Sequence, residues 1–389
     1  MHNTFYNNME LYWYVRSLYC KLWSMWNYDE WQRYINRYSQ MRVGIINFFV
    51  VTLFFLGAVS CTQKKYSFEG IQSYPYPNEI KGEILNSDFV FSWPTDILVA
   101  DSLIVINDSY SQEYGLHIFR KSDGQWLQSF CHRGRGPGEH MLINSMSIDD
   151  AGNLVIYDPN RKCIISYDLR QILNGNRSAF TEYTISSAPN NLKKALPYGE
   201  NFVVKGNDSR MRYGYWDEES DSISGAIIRY PKFSKDDETN WSICDYSTVD
   251  KISPNKEYLL CATYVGASLE LFNLDANEIT QSRTKYIFEP IYDYAEGAVP
   301  RWVTPTDETV IGFSDVCLTN ENIYGLLWGV KVLDMESCNP IIIQYDYTLT
   351  ARKAYKPKEI IEKITVDNNT IYATGIDEKG EYHLYMYQI

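Results

Sequence analysis

The chain has 389 residues, a formal charge of −13 and 45% apolar content, enough to bury a sizeable core and too apolar for a disordered chain. The acidic balance, without a basic stripe, excludes a nucleic-acid partner, because phosphate binding needs a positively charged face. Aromatic residues make up 15%, with 33 Tyr against 22 Gly, and rings fit a pleated sheet better than a helix, so a mostly β protein is expected.

Residues 1–40 are dense in aromatics ("YWY", "LWSMW", "EWQRY") and show neither turn signals nor a steady period. At Met41 the pattern changes to Arg42, then "VGIINFFVVTLFFLGAVS", then Cys61. A basic start, an apolar run and small residues before a cut are the parts of a secretory signal. Ala58-Val59-Ser60-Cys61 resembles the lipobox of bacterial lipoproteins, in which the cysteine thiol takes a diacylglycerol and becomes the new N-terminus. On this reading residues 1–40 precede the true start, 41–60 are the signal peptide, 61–75 are a tether and 76–389 are the folded domain. The competing reading is an uncleaved membrane helix, since about 18 apolar residues can just span a bilayer. Cys61 would be the only hold on the membrane. The following "TQKKYSF" lacks the acidic cluster that resembles a surface-export signal, which favours an outer-membrane protein facing the periplasm.

Beyond the tether, short β runs recur: "DSLIVIND" (101–108), "GNLVIYDP" (152–159), "ENFVVKGN" (200–207), "KEYLLCAT" (256–263), "ENIYGLLW" (321–328) and "NTIYATGI" (369–376). They repeat at roughly 50-residue intervals, the length of one four-stranded blade. A candidate strand lies before each ("TDILVA", "SMSIDD", "KKALPY", "VDKISP", "SDVCLT", "EKITVD") and another after each ("LHIFRK", "CIISYDL", "RYGYWD", "SLELFNL", "IIIQYDY", "YHLYMYQI"). A fourth follows in five copies: "QWLQSF", "FTEYTI", "AIIRYP", "TKYIFE" and "ARKAYK". The pattern predicts an all-β, six-bladed β-propeller of antiparallel blades. The sixth copy stops at its third strand, and an open ladder there would invite aggregation. "KGEILNSDFVF" (81–91) belongs to no blade in sequence order, so it is expected to pair with the last repeat and close the ring. "DEESDSIS" and "SKDDETNW" read as polar loops.

"HRGRGPGE" (132–139) falls between the first two repeats. A dinucleotide loop would need a helix after the glycines, and a strand follows instead; the Gly-Lys-Ser/Thr of a Walker loop is missing. Two readings stay open. The glycines let the chain cross between close-packed sheets, or successive N–H groups form a nest that binds an anion beside Arg133 and Arg135. Residues 130–169 resemble the NHL repeat, with its Gly-rich lead, Asp-Gly-Asn-type turn and "V-x-D" ending at Asp158. The "GRGPGE" core is similar to that of the TolB-like six-bladed propeller lipoproteins of Gram-negative bacteria. That resemblance implies a lipid-anchored extracytoplasmic propeller whose loops converge around one channel.

No local catalytic or zinc motif is found around His117, His132, His140 and His383, and no nucleophile elbow occurs. Cys131, Cys163, Cys244, Cys261, Cys317 and Cys338 contain no C-x-x-C, and buried free thiols are the expected state. Acidic pairs such as Asp149-Asp150 read as solvated turns. A long Pro/Gly-punctuated stretch (288–313) carries Tyr292, Arg301 and Trp302, residue types that anchor interfaces and stack on sugar rings. The resulting expectation is a non-enzymatic binder of an envelope protein or peptide, or of a glycan. Its candidate contacts are Arg133, Arg135 and Glu139 in the first loop and Tyr292, Arg301 and Trp302 in the second. No cofactor is called for. The alternative is a metal-dependent or sugar-active hydrolase, lactonase-like, in which ligands from separate blades hold calcium in the channel.

Overall fold

The computed structural model describes residues 74–86, 88–187, 192–208, 211–224, 248–275, 278–294 and 303–389. They form six antiparallel four-stranded sheets, the blades of a β-propeller, one of which gains a fifth strand. Strands A to D of each blade run from the centre outward. The innermost strands are Pro94–Ala100, Ser145–Ile148, Lys194–Tyr198, Thr248–Ile252, Val310–Leu318 and Ile360–Asp367. No helix among the described residues is long and apolar enough to cross a membrane.

Burial explains the sequence pattern. A middle strand has neighbouring blades on both faces, so it reads as a continuous apolar run rather than an alternation; Leu154–Asp158 is buried at every position. An outer strand such as Glu278–Phe288 is only partly covered and carries polar residues throughout. The described apolar residues gather into six clusters, one in each seam between adjacent blades. In the seam between blades 6 and 1, Ile104 and Phe119 meet Tyr372 and Leu384.

The N-terminal segment starts on blade 5, crosses blade 6 and ends in this last seam. Asn78–Ile80 runs parallel to the outer strand of blade 5, Ala351–Pro357, an addition the sequence did not suggest. Glu83–Asn86 then runs antiparallel to Tyr382–Gln388 of blade 6, with Glu83 opposite Met386 and Ile84 opposite Tyr385. Gly82 admits no side chain, since a Cβ there would sit 2.8 Å from the Tyr387 ring. The paired stretch is shorter than 81–91 for a visible reason: Asp108 captures the N–H groups of Ser92 (2.7 Å) and Trp93 (2.6 Å) and turns the chain into blade 1. On the way, Phe91 enters the seam and Phe89 packs 5.2 Å from Phe119.

One strand is placed differently from expectation. The outer strand of blade 3 is Ser222–Ser224, within the run read as a polar loop; "AIIRYP" lies outside the described residues. Asp217 makes this tight return, accepting from Ser220 N–H at 2.8 Å, a local turn that outweighs the low apolar content of "SIS". A short helix, Leu169–Leu173, also went unforeseen. Asp168 caps it by accepting from the N–H groups of Arg170 (3.0 Å) and Gln171 (3.1 Å).

Candidate functional site

In an antiparallel meander, D-to-A connections and B-to-C loops emerge at one end of the ring, and A-to-B turns at the other. The glycine run joins Trp126–His132 to Ser145–Ile148, and the long loop joins Glu278–Phe288 to Val310–Leu318; both are D-to-A connections. They therefore share an end, on opposite sides of the ring. Tyr292 is half-buried at the foot of a small hairpin, Asp293–Tyr294 with Val303–Thr304. Arg301 and Trp302 lie outside the described residues, as does Cys61.

The glycine run holds its own anions. Gly136 N–H donates to Glu139 Oε2 at 2.6 Å, and Gly138 N–H donates to Glu182 Oε2 at 2.9 Å. Arg161 bonds both the Glu139 carbonyl and the Glu182 carboxylate. Gly138 has φ +69°, and a Cβ there would collide with the Phe180 ring, so glycine is required. Glu139 is thus an internal brace. Arg133 and Arg135 are exposed, and their guanidinium groups make no hydrogen bond or ion pair with a described residue.

Asp158, the last residue of "LVIYD", is fully buried and anchors the run. It accepts from Met141 N–H (2.5 Å), Leu142 N–H (3.3 Å), Asn160 N–H (2.9 Å) and Arg161 N–H (3.2 Å). Asp108 plays the same part in blade 1. The aligned repeats "LIVIND" and "LVIYD" carried this signal, a carboxylate at the end of strand B hooking the chain that enters its own blade. Asp158→Ala leaves those N–H groups without their acceptor and is expected to cost about 2–4 kcal/mol in urea unfolding.

In blade 1 His117 is 3% exposed, bonds Ser129 Oγ through Nδ1 at 2.7 Å, lies with Nε2 3.8 Å from Asp108 Oδ2 and packs 4.7 Å from Phe89. Burial pushes its pKa down to about 4. Between pH ~6.5 and ~4 the unfolded chain takes up a proton that the folded ring refuses, so stability falls as pH falls through this window, by about 2 kcal/mol. Denaturant titrations at several pH values should show a shallower acid slope in His117→Gln.

At the other end the channel opens into a cavity of about 730 Å³. Val99, Ile148, Pro197, Ile252, Leu318 and Val366, one from each blade, form an aliphatic collar there. Lys251 also lines it, its Nζ 2.8 and 3.1 Å from the two Asp96 oxygens, so blade 4 is tied to blade 1 across the ring. Burial opposes the charge on Lys251, yet Asp96 and Asp315 hold its pKa above the usual lysine range. Asp315 is itself buried, and burial raises its pKa against the pull of Lys363 and Lys251.

The model of the TolB-like 6-blade propeller-like family matches residues 75–369. The chain belongs to that family. Solved structures similar to this TolB-like propeller at the level of the fold include two from Bacteroides. One is a Bacteroides fragilis protein described as exported, with 12% identity over 80% of this chain and 94% of that one and a TM-score of 0.52. The other is a DUF4221-family member from Bacteroides vulgatus, with 9% identity over 80% and 97% and a TM-score of 0.54. None of the curated proteins matches the sequence.

At the channel cavity of the TolB-like propeller, Asp96 is paired with Lys251 and Asp367 with Lys121. Among the described residues, the group able to bring three metal-ligand atoms together is Asp377, Glu381 and His383, in and beside a B-to-C loop of blade 6 rather than in the channel. There Asp377 is already engaged, by the N–H groups of Lys379 (2.8 Å) and Glu381 (3.0 Å) and by His383 Nε2 (3.2 Å). The cysteines placed by the structure, Cys131, Cys163, Cys261, Cys317 and Cys338, are free thiols.

Proposed function

We propose that this protein is a lipid-anchored extracytoplasmic propeller that binds an envelope protein or peptide through the end where its D-to-A and B-to-C loops emerge. One observation carries the reading. Val90 (88% exposed), Leu333 (68%), Ile291 (46%) and Tyr110 (39%) all sit on those loops. The other large exposed apolar residues among those described, Tyr76, Ile84, Trp126 and Tyr286, lie on or beside outer strands, and none is on an A-to-B turn. Exposed apolar side chains concentrated on one surface and rimmed by charge mark a protein contact surface. Arg133 and Arg135 supply that rim, and arginine is a frequent interface anchor. The exported relative supports a location outside the cytoplasm, and Cys61 provides the anchor.

The test is site-specific photo-crosslinking in detergent-solubilised envelope, with the crosslinker at Val90, Leu333 or Arg135 and, as controls, at Asp101 and Lys121 on the far end. A partner captured from the first three positions, and weakened by the Arg133→Ala/Arg135→Ala pair, is the expected result. Capture from the control positions alone would overturn the assignment.

A further inference from the structure

A second cavity, about 680 Å³, runs outward from the channel mouth between blades 5 and 6 to the C-terminal Ile389. It lies at the end opposite the loops discussed above and is independent of them. Two facing A-to-B turns build it: residues 319–322 of blade 5, "TNEN", and residues 368–369 of blade 6, "NN". Asparagine often serves a turn by bonding its own backbone. In blade 5 that work is done by Thr319, whose Oγ1 accepts from the N–H groups of Asn322 (3.0 Å) and Glu321 (3.4 Å). The side-chain amides of Asn320, Asn322 and Asn369 make no hydrogen bond with a described residue, and all three line the groove.

The chemistry of the walls narrows the ligand. A carboxamide places N–H donors beside a carbonyl acceptor, a match for neighbouring hydroxyl groups that both donate and accept. Charge does not select the ligand: Glu321 and Lys353 bring opposite signs, and Asp367 is paired with Lys121 at 2.7 Å. A peptide has little to hold it. The aliphatic collar stays at the inner end, and the strands beside the groove are already paired on their outer sides, Ala351–Pro357 by Asn78–Ile80 and Tyr382–Gln388 by Glu83–Asn86. The volume falls within the range of ligand pockets.

We propose that the groove between blades 5 and 6 is a binding site for a neutral oligosaccharide. The experiment uses the full chain on an array of neutral oligosaccharides (glucans, mannans, galactans and N-acetylglucosamine oligomers), together with acidic glycans and short peptides, followed by calorimetric titration of the best probe. Wild type should retain a neutral glycan. Asn322→Leu/Asn369→Leu should weaken it by about tenfold or more with an unchanged melting temperature, and Arg133→Ala/Arg135→Ala at the far end should not. Should the leucine pair unfold the protein, Asn320→Asp, which keeps the shape and removes the N–H donors, replaces it and should show the same loss. Retention of no neutral glycan, retention unaltered in the groove variants, or preference for peptides or charged glycans would each overturn the proposal.

Discussion

Deleting residues 74–91 is expected to abolish cooperative folding of the propeller rather than merely lower its melting temperature. The segment supplies the hydrogen-bonded neighbour of Tyr382–Gln388, without which blade 6 presents a bare ladder of backbone groups. It also supplies Phe91, which is 5% exposed in the seam between blades 6 and 1, and Phe89, whose ring lies 4.9 Å from that of Phe91 and 5.2 Å from that of Phe119. Losing both rings and a strand removes more than the 5–15 kcal/mol by which a domain is ordinarily stable. Phe91→Ala isolates one part of this effect and should cost about 3–5 kcal/mol. Size-exclusion chromatography with near-UV circular dichroism distinguishes the outcomes. A deleted chain that stays monomeric with a native near-UV spectrum would show that the seam needs nothing from the N-terminus.

Asp250→Ala should be the most damaging single charge removal. Asp250 is 2% exposed and is bonded by Lys205 (3.0 Å), Lys194 (2.9 Å) and the Tyr213 hydroxyl, linking blades 3 and 4. Burial alone would raise its pKa, but the two lysines hold it well below the carboxylate range. The substitution takes from Lys205, which is 2% exposed, the buried carboxylate it is bonded to. Breaking a buried pair from one side costs about 3–5 kcal/mol, a fall of roughly 10 °C in melting temperature for a domain of this size. The pH dependence has a definite sign. The folded pKa is depressed, so the pair's contribution is complete above the ordinary carboxylate pKa and is lost only as pH falls below it. Between pH 5 and 8 the wild-type-to-variant difference should therefore stay flat.

What could be read in advance follows the range of the interactions. Strands A to C of every blade were legible, because "LIVIND", "LVIYD" and "IIIQY" record burial on both faces and Gly, Asp and Asn mark the turns between them. The outer strand of blade 3 was not, because "SIS" is held by a turn and buries little. The hooks Asp108 and Asp158 were present in the aligned repeats as recurring carboxylates, yet which N–H groups they take depends on where the incoming chain crosses the blade. The Lys251–Asp96 tie was beyond reach, since nothing local to "VDKISP" and "TDILVA" says that blades 4 and 1 meet across a channel. Around the glycine run, composition left an anion nest open. Glu139 and Glu182 fill the positions such an anion would take, which leaves the two arginines as the outward-facing groups.

Every surface assigned above, the loop end and the groove alike, presupposes a ring shut by the N-terminal strand. The direct measurement is an engineered disulfide. Glu83 and Met386 are opposite neighbours in the antiparallel pair, at a spacing that a disulfide spans. In Glu83→Cys/Met386→Cys, mild oxidation should give a near-quantitative intramolecular link between those two positions, identified by peptide mass spectrometry, together with a raised melting temperature. If the two cysteines stay reduced, or link only between molecules while the protein remains folded, the strand is not where the closed ring requires it.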